Sequence, residues 1–250
     1  MYNRTQYINS ESPIKKDLLR LFNKEEKLTI FDIGGCEGED SIRYSKIFPL
    51  ASIFVFEPLP NNQALINRNL VQYEVKTVEL CPIALSDSEG VQDFFVSSGH
   101  PDSQPINDNW NFGNKSSSLL PPNDKMELIS WLKFETVIKV NTDTLNNFSK
   151  NHNIDIIDFV HMDVQGAELK VLKGAGSYLR KIKVIWLEVS DISLYKYQPL
   201  RTDIEQFMNN SGFKLIKTEL KDNFGDQMYI NQSYFREVSF VLFKKIFRVK

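Results

Sequence analysis

Three short runs, LTIFDI (28–33), ASIFVFE (51–57) and VKTVEL (75–80), are rich in β-branched and aromatic residues, and helically spaced apolar positions separate the first two. Strand-length runs alternating with helical patterns leave few options, because each strand is apolar on both faces and needs a helix on either side. The expectation is a parallel sheet built from βαβ units. The alternation resumes at IIDFVHMD (156–163), continues through GAELKVLKGAGSYLRK with helical spacing, and reaches VIWLEVS (184–190). A helix over about 202–211, a stop at Gly212, the run FKLIKTEL and a final strand REVSFVLFKK complete the order. VQDFFVSS (91–98) alternates like a half-exposed strand and VIKVNT (137–142) reads as another. Ahead of them all, SPIKKDLLRLF (12–22) has a serine cap and an early proline, so a leading helix covers one edge. The 250 residues suffice for one α/β domain over 1–250, with 1–27 as an N-terminal helical cover.

Charge and cysteine content exclude several functions. A formal net charge of −2 leaves no electrostatic footprint for a polyanion, so nucleic acid is not an expected partner. The two cysteines, Cys36 and Cys81, have no metal-ligand spacing and read as reduced thiols. The start, MYNRTQYINS, lacks an apolar export region, and no apolar run approaches the roughly 20 residues of a membrane helix. A cytoplasmic protein is expected.

The stretch FDIGGCEGED (31–40) follows the first strand and carries three glycines and four acids. Open parallel sheets bind ligands beyond the carboxyl ends of their strands, where strand order reverses, and this turn lies there. Gly34 and Gly35 let backbone approach closely, and Gly38 lets the next helix pack on the turn. Asp32, Glu37, Glu39 and Asp40 would oppose a phosphate, and the lysine of a P-loop is missing. S-adenosylmethionine has no phosphate, two cationic groups and a ribose diol, all suited to carboxylates. Glu57, at the tip of the second strand, is placed to take the ribose. The alternative is structural, with Asp32 capping a helix and Glu57 a solvated strand end.

FDIGGCEGED, VFEPLPNNQALINRNL, IALSDSEG, SSSLL, VNTDTL and IDFVHMDVQGAELKVLKGA, in this order, resemble the FkbM-type family of S-adenosylmethionine-dependent methyltransferases. The resemblance implies a Rossmann-like class I methyltransferase fold: a seven-stranded, mostly parallel sheet with an antiparallel last strand and helices on both faces. It also implies methyl transfer, usually to a hydroxyl oxygen, often of a sugar. By position, Asp32, Gly34, Gly35 and Gly38 would hold the methionine moiety, Glu57 the ribose, and Ala84 with Leu85 the adenine. Gln165 and His161 depart from the pattern, which more often has Glu and Lys at these places.

Methylation of a hydroxyl needs a base or a well-placed charge beside the acceptor. Asp163 ends one strand, Glu188 lies near the end of the next, and His161 shares a face with Asp163 one pleat deeper. These three are the catalytic candidates: Asp163 to orient or deprotonate the acceptor, with His161 as the alternate base. Asp163 could instead cap the helix that begins near Gly166, and His161 could be a core histidine. Glu168 could face the cleft or merely complement a helix dipole. A divalent metal on Asp163, Glu188 and Asp191 is possible but not expected. The long segment 99–131 reads as an acceptor-binding lid, with His100, Trp110 and Phe112 offered to a glycan ring. The rival functions are a non-catalytic binding subunit that keeps the cofactor fold, and an NAD-dependent oxidoreductase or epimerase.

Overall fold

The structure is a computed structural model that describes residues 3–105 and 110–236. Its main sheet has seven strands in the order β3-β2-β1-β7-β8-β10-β9. They are β1 (Thr29–Ile33), β2 (Ser52–Phe56), β3 (Val78–Cys81), β7 (Ile157–Met162), β8 (Ile182–Ser190), β9 (Phe213–Lys221) and β10 (Phe224–Asn231). The first five run parallel, while β10 is antiparallel to both β8 and β9. This is the class I methyltransferase fold. The chain winds outward from β1 to β3 and later outward from β7 to β8, so the strand order reverses between β1 and β7.

The central strands are apolar on both faces because both are covered. On one face Phe31, Phe56, Val160 and Ile185 pack against Phe148, Val171 and Leu172. These last three come from helices α5 (Leu145–Asn151) and α6 (Glu168–Gly174). On the other face Ile30, Phe159 and Trp186 meet Leu18, Tyr44 and Phe48. Leu18 belongs to α2 (Lys15–Leu21) and Tyr44 to α3 (Glu39–Ile47). A further helix, α1 (Arg4–Asn9), stands in front of α2, ahead of the leading helix read over 12–22.

Two features depart from the sequence reading. A second sheet, in the order β4-β6-β5, stands beside the main one and is formed by β4 (Ala84–Ser86), β5 (Gly90–Ser98) and β6 (Lys133–Thr144). The antiparallel strand of the main sheet is β10, within FGDQMYIN, which has too many polar positions to read as a strand. The expected final strand over 236–245 lies outside the described residues, apart from Arg236. Where it is described, the 99–131 segment holds two short 3-10 turns, at Gly113–Lys115 and Asp124–Leu128. Among the described residues no helix is long and apolar enough to cross a membrane.

Phe148 ties α5 to the sheet, with its ring centroid 4.7 Å from that of Phe56 and 5.8 Å from that of Phe31. Replacing it with alanine should cost about 3–5 kcal/mol of stability, read as a lower urea midpoint with an unchanged m-value.

Candidate functional site

The cleft opens where the sheet order reverses, between the ends of β1 and β7. Its shape follows from Gly34, which has φ +85° and would place a Cβ 1.9 Å from the Asp163 carbonyl oxygen. Only a glycine lets the two strand ends lie this close, with the Asp163 N–H donating to Ile33 O at 2.9 Å. Gly38 has φ +78° and stands at the N-cap of α3, outside the cleft lining, whereas Gly35 lines it.

One end of the cleft is apolar. Leu59, Ala84, Leu85, Phe94 and Leu119 form it, with β4 and β5 of the small sheet supplying three of the five. Halfway along stands Glu57, only 5% exposed, so it is not a solvated strand end. Its Oε2 accepts from Cys36 N at 3.0 Å and its Oε1 from Leu59 N at 2.8 Å. Burial raises the Glu57 carboxyl to about 7, against the lowering effect of Leu59 N–H, the Asn62 side chain and Cys36 N–H.

The other end is charged. Asp32 is register-paired with His161 on β7, and its Oδ1 lies 3.3 Å from His161 Nδ1. At this distance the carboxylate holds a proton on the imidazole. Asp32 Oδ2 accepts from Ser41 Oγ at 2.6 Å, and the aspartate caps no helix. Burial pushes the His161 imidazole down, but Asp32, with Asp40 and Asp226 behind it, outweighs this and raises it to about 9. A histidine already protonated at neutral pH is a poor base. His161 thus stands in the site as a cation, the charge that lysine would supply.

The remaining acids of the glycine turn carry counter-ions as well. Glu37 pairs with the buried Arg4 of α1 and accepts from Asn114 Nδ2 at 2.9 Å. Asp40 takes Arg43 at 3.0 Å and the Tyr7 hydroxyl at 2.9 Å. Glu39 takes Lys115 Nζ at 2.9 Å. Burial pushes the Lys115 ammonium down, but Cys36, Glu39 and Glu37 more than offset it, leaving it above the usual lysine range. Four acids thus face Arg4, Arg43, Lys115 and His161. The turn is not the bare negative field that its sequence suggests, because buried carboxylates need partners.

Beyond β7 the chain turns sharply through Gln165 (φ +54°) and Gly166 (φ +93°). Asp163 lines the cleft here and does not cap α6, whose N-cap is Ala167. Gln165 Nε2 donates to Asp163 Oδ1 at 2.6 Å and to Glu188 Oε2 at 3.1 Å. The Tyr195 hydroxyl lies 3.1 Å from Gln165 Oε1 and 2.7 Å from Ser116 O. Glu188 sits behind Gln165 and does not line the cleft. Burial, then Asp163 and Glu168, push the Glu188 carboxyl well up, toward its protonated form. Glu168 is buried, accepts from Val164 N and Gly166 N at 3.2 Å each, and is raised to about 7 by burial, with Asp163 contributing.

For a metal, the carboxylates the fold brings together are Asp163, Glu168 and Glu188, whose nearest oxygens lie within 4.8 Å of one another. Asp191 is not among them, since Arg201 holds it at 2.8 Å. Of the expected acceptor residues, Trp110 lines the cleft, while His100 and Phe112 do not. Those two pack on each other at 5.3 Å between centroids, and Phe112 also meets Trp131 at 6.4 Å. Aromatic packing has taken the rings intended for a ligand. Within the SSSLL block Ser117 and Leu119 line the cleft, Ser117 Oγ accepts from Ser97 N at 2.9 Å, and Ser118 Oγ donates to Gln165 O at 2.8 Å.

The donor set suits one cofactor: an apolar end for adenine, a buried carboxylate for ribose hydroxyls, and a charge-balanced end for an amino acid. Residues 32–215 match the model of the methyltransferase FkbM domain. The chain belongs to this family. It is an S-adenosylmethionine-dependent methyltransferase. A relative, the 2-O-methyltransferase NoeI of Sinorhizobium fredii, is 32% identical over 197 residues, covering 78% of this chain and 77% of that protein. The methyltransferase sdnD of Sordaria araneosa is 24% identical over 212 residues, 75% of this chain and 74% of the other. The M. capricolum TrmK structure with S-adenosylhomocysteine overlays at a TM-score of 0.48 and 11% identity, over 88% of this chain and 68% of that one.

The chain of ionic contacts at the charged end has a measurable signature. In a proton NMR titration that resolves the three histidines, the His161 ring should titrate near pH 9; a midpoint at or below about 6.5 would remove Asp32 as its counter-ion. Because this pKa is raised above its unfolded value, the pair contributes stability below about pH 6.5 that is lost as pH rises through 9.

Proposed function

We propose that this FkbM-family enzyme methylates a hydroxyl oxygen of a sugar or related small molecule, with Asp163 as the group that orients and deprotonates the acceptor. S-adenosylmethionine supplies, when bound, a methyl group on a sulfonium that a lone pair can attack. Glu57 would take its ribose, Ala84 and Leu85 its adenine, and the turn from Asp32 to Gly35 its amino-acid end. Of the three residues expected to meet the acceptor, Trp110 is the one that lines the cleft, with the Lys115 ammonium over one face of its ring.

The observation that carries the proposal is the position of Asp163. It is the carboxylate of the β7–β8 acid cluster that lines the cleft, and Gln165 holds one of its oxygens at 2.6 Å. Glu168 and Glu188 do not line the cleft, and of the acids that do, Asp32, Glu39 and Asp40 face His161, Lys115 and Arg43 while Glu57 accepts two backbone N–H groups. This supports Asp163 as the base. The kinship with a 2-O-methyltransferase supports oxygen as the acceptor atom.

The experiment is incorporation of labelled methyl from S-adenosylmethionine into a panel of oligosaccharides, nucleotide sugars and small alcohols, with the methylated atom located by NMR. Transfer to amines or thiols alone would overturn the reading. Asp163→Asn should lower kcat about 100-fold or more, while calorimetry finds S-adenosylhomocysteine affinity within about threefold of wild type.

A further inference from the structure

Lys115 differs from the other cations of the acidic turn. Arg4 and Arg43 are 6% and 4% exposed and belong to helices packed into the fold, whereas Lys115 ends a single 3-10 turn and lines the cleft itself. Its ammonium has one strong partner, Glu39 Oε1 at 2.9 Å. Its other contacts are soft: Cys36 Sγ at 3.6 Å and the Trp110 ring face, 4.2 Å from the centroid. A thiol and an indole are weak acceptors, so two of the three ammonium hydrogens are only weakly satisfied.

The methionine end of the cofactor is a zwitterion. Its ammonium suits this turn, but its carboxylate would meet Asp32, Glu39 and Asp40 and needs a cation of its own. Among the described residues lining the cleft, the basic side chains are Lys115 and His161. His161 sits on the sheet floor against Asp32 and Tyr44, whereas Lys115 hangs from a turn on the wall. We propose that Lys115 binds the carboxylate of the cofactor's amino-acid end, with the Glu39–Lys115 pair reading the zwitterion as a complementary pair of charges. The exchange buries no net charge, since one neutral pair meets another. It rests on the reading of this cleft as the cofactor site.

The test is a calorimetric double-mutant cycle with two ligands, S-adenosylhomocysteine and its analogue lacking only the α-carboxylate. Wild type should prefer the complete molecule at least tenfold. In Lys115→Met, which keeps the aliphatic stem over Trp110, that preference should fall below about threefold, the analogue binding as it does to wild type. Lys115→Arg should restore most of the preference. An unchanged ratio in Lys115→Met overturns the assignment, as does a preference already absent from wild type. Retained analogue binding shows that the variant is folded; should Lys115→Met lose it, Lys115→Gln replaces it in the cycle. A third variant, Glu57→Gln, separates the two levels of inference. It should weaken both ligands alike, and if it weakens neither, the reading of the cleft itself fails.

Discussion

The cleft depends on one close approach. The ends of β1 and β7 meet at Gly34 and Asp163, with no room between them for even a methyl group. That contact sets Asp32 beside His161, brings the glycine turn against the turn at Gln165, and aims Asp163 into the same space as Glu57. The cleft and an acid cluster thus share one wall. The parallel sheet makes this possible, because the strand order reverses at this point and leaves the strand ends uncovered by a crossover.

Electrostatics then decides how the acids are used. A buried unpaired carboxylate costs several kcal/mol, so the turn recruits cations from three separated parts of the chain. Arg4 comes from α1, Arg43 from α3 and Lys115 from the 3-10 turn Gly113–Lys115. What faces the ligand is therefore a set of dipoles with local sign, which suits a zwitterion better than a simple cation. Asp226, on β10, joins the same field from behind: burial raises its carboxyl to about 7, while His161 holds it down.

Most of the parallel sheet was legible because strands buried on both faces read as continuous apolar runs. β10 was not, because its polar residues are satisfied by partners that sequence cannot supply. Gln227 is fully buried, yet its amide donates to Glu205 at 2.6 Å and its carbonyl accepts from the Tyr229 hydroxyl at 2.7 Å. The site divides in the same way. Asp32, Glu57 and Asp163 stand at strand ends, which periodicity locates. Arg43 could have been paired with Asp40 from its i,i+3 spacing. Arg4, Lys115 and Tyr195 meet Glu37, Glu39 and Gln165 through contacts 33, 76 and 30 residues away in sequence, and no local pattern marks them. Glu168 was passed over in favour of Asp191 because its place depends on a backbone reversal at two positive-φ residues.

Gln165 shows what a single amide contributes beside crowded carboxylates. Asp163, Glu168 and Glu188 already crowd one another, and a fourth acid would raise their protonation further or call for a cation. The amide does the opposite, placing one nitrogen between Asp163 and Glu188 and donating to both. Its other end faces the Tyr195 hydroxyl, which shares its single proton between Gln165 Oε1 and Ser116 O. The carboxylate oxygens fix which end of the amide is nitrogen, since an amide oxygen set 2.6 Å from Asp163 Oδ1 would face acceptor with acceptor. Asp163 is therefore oriented by one neutral donor, Gln165, itself anchored to the 116–118 segment through Tyr195 and by Ser118 Oγ on Gln165 O. With its geometry held in this way, the aspartate keeps its remaining lone pairs for the cleft.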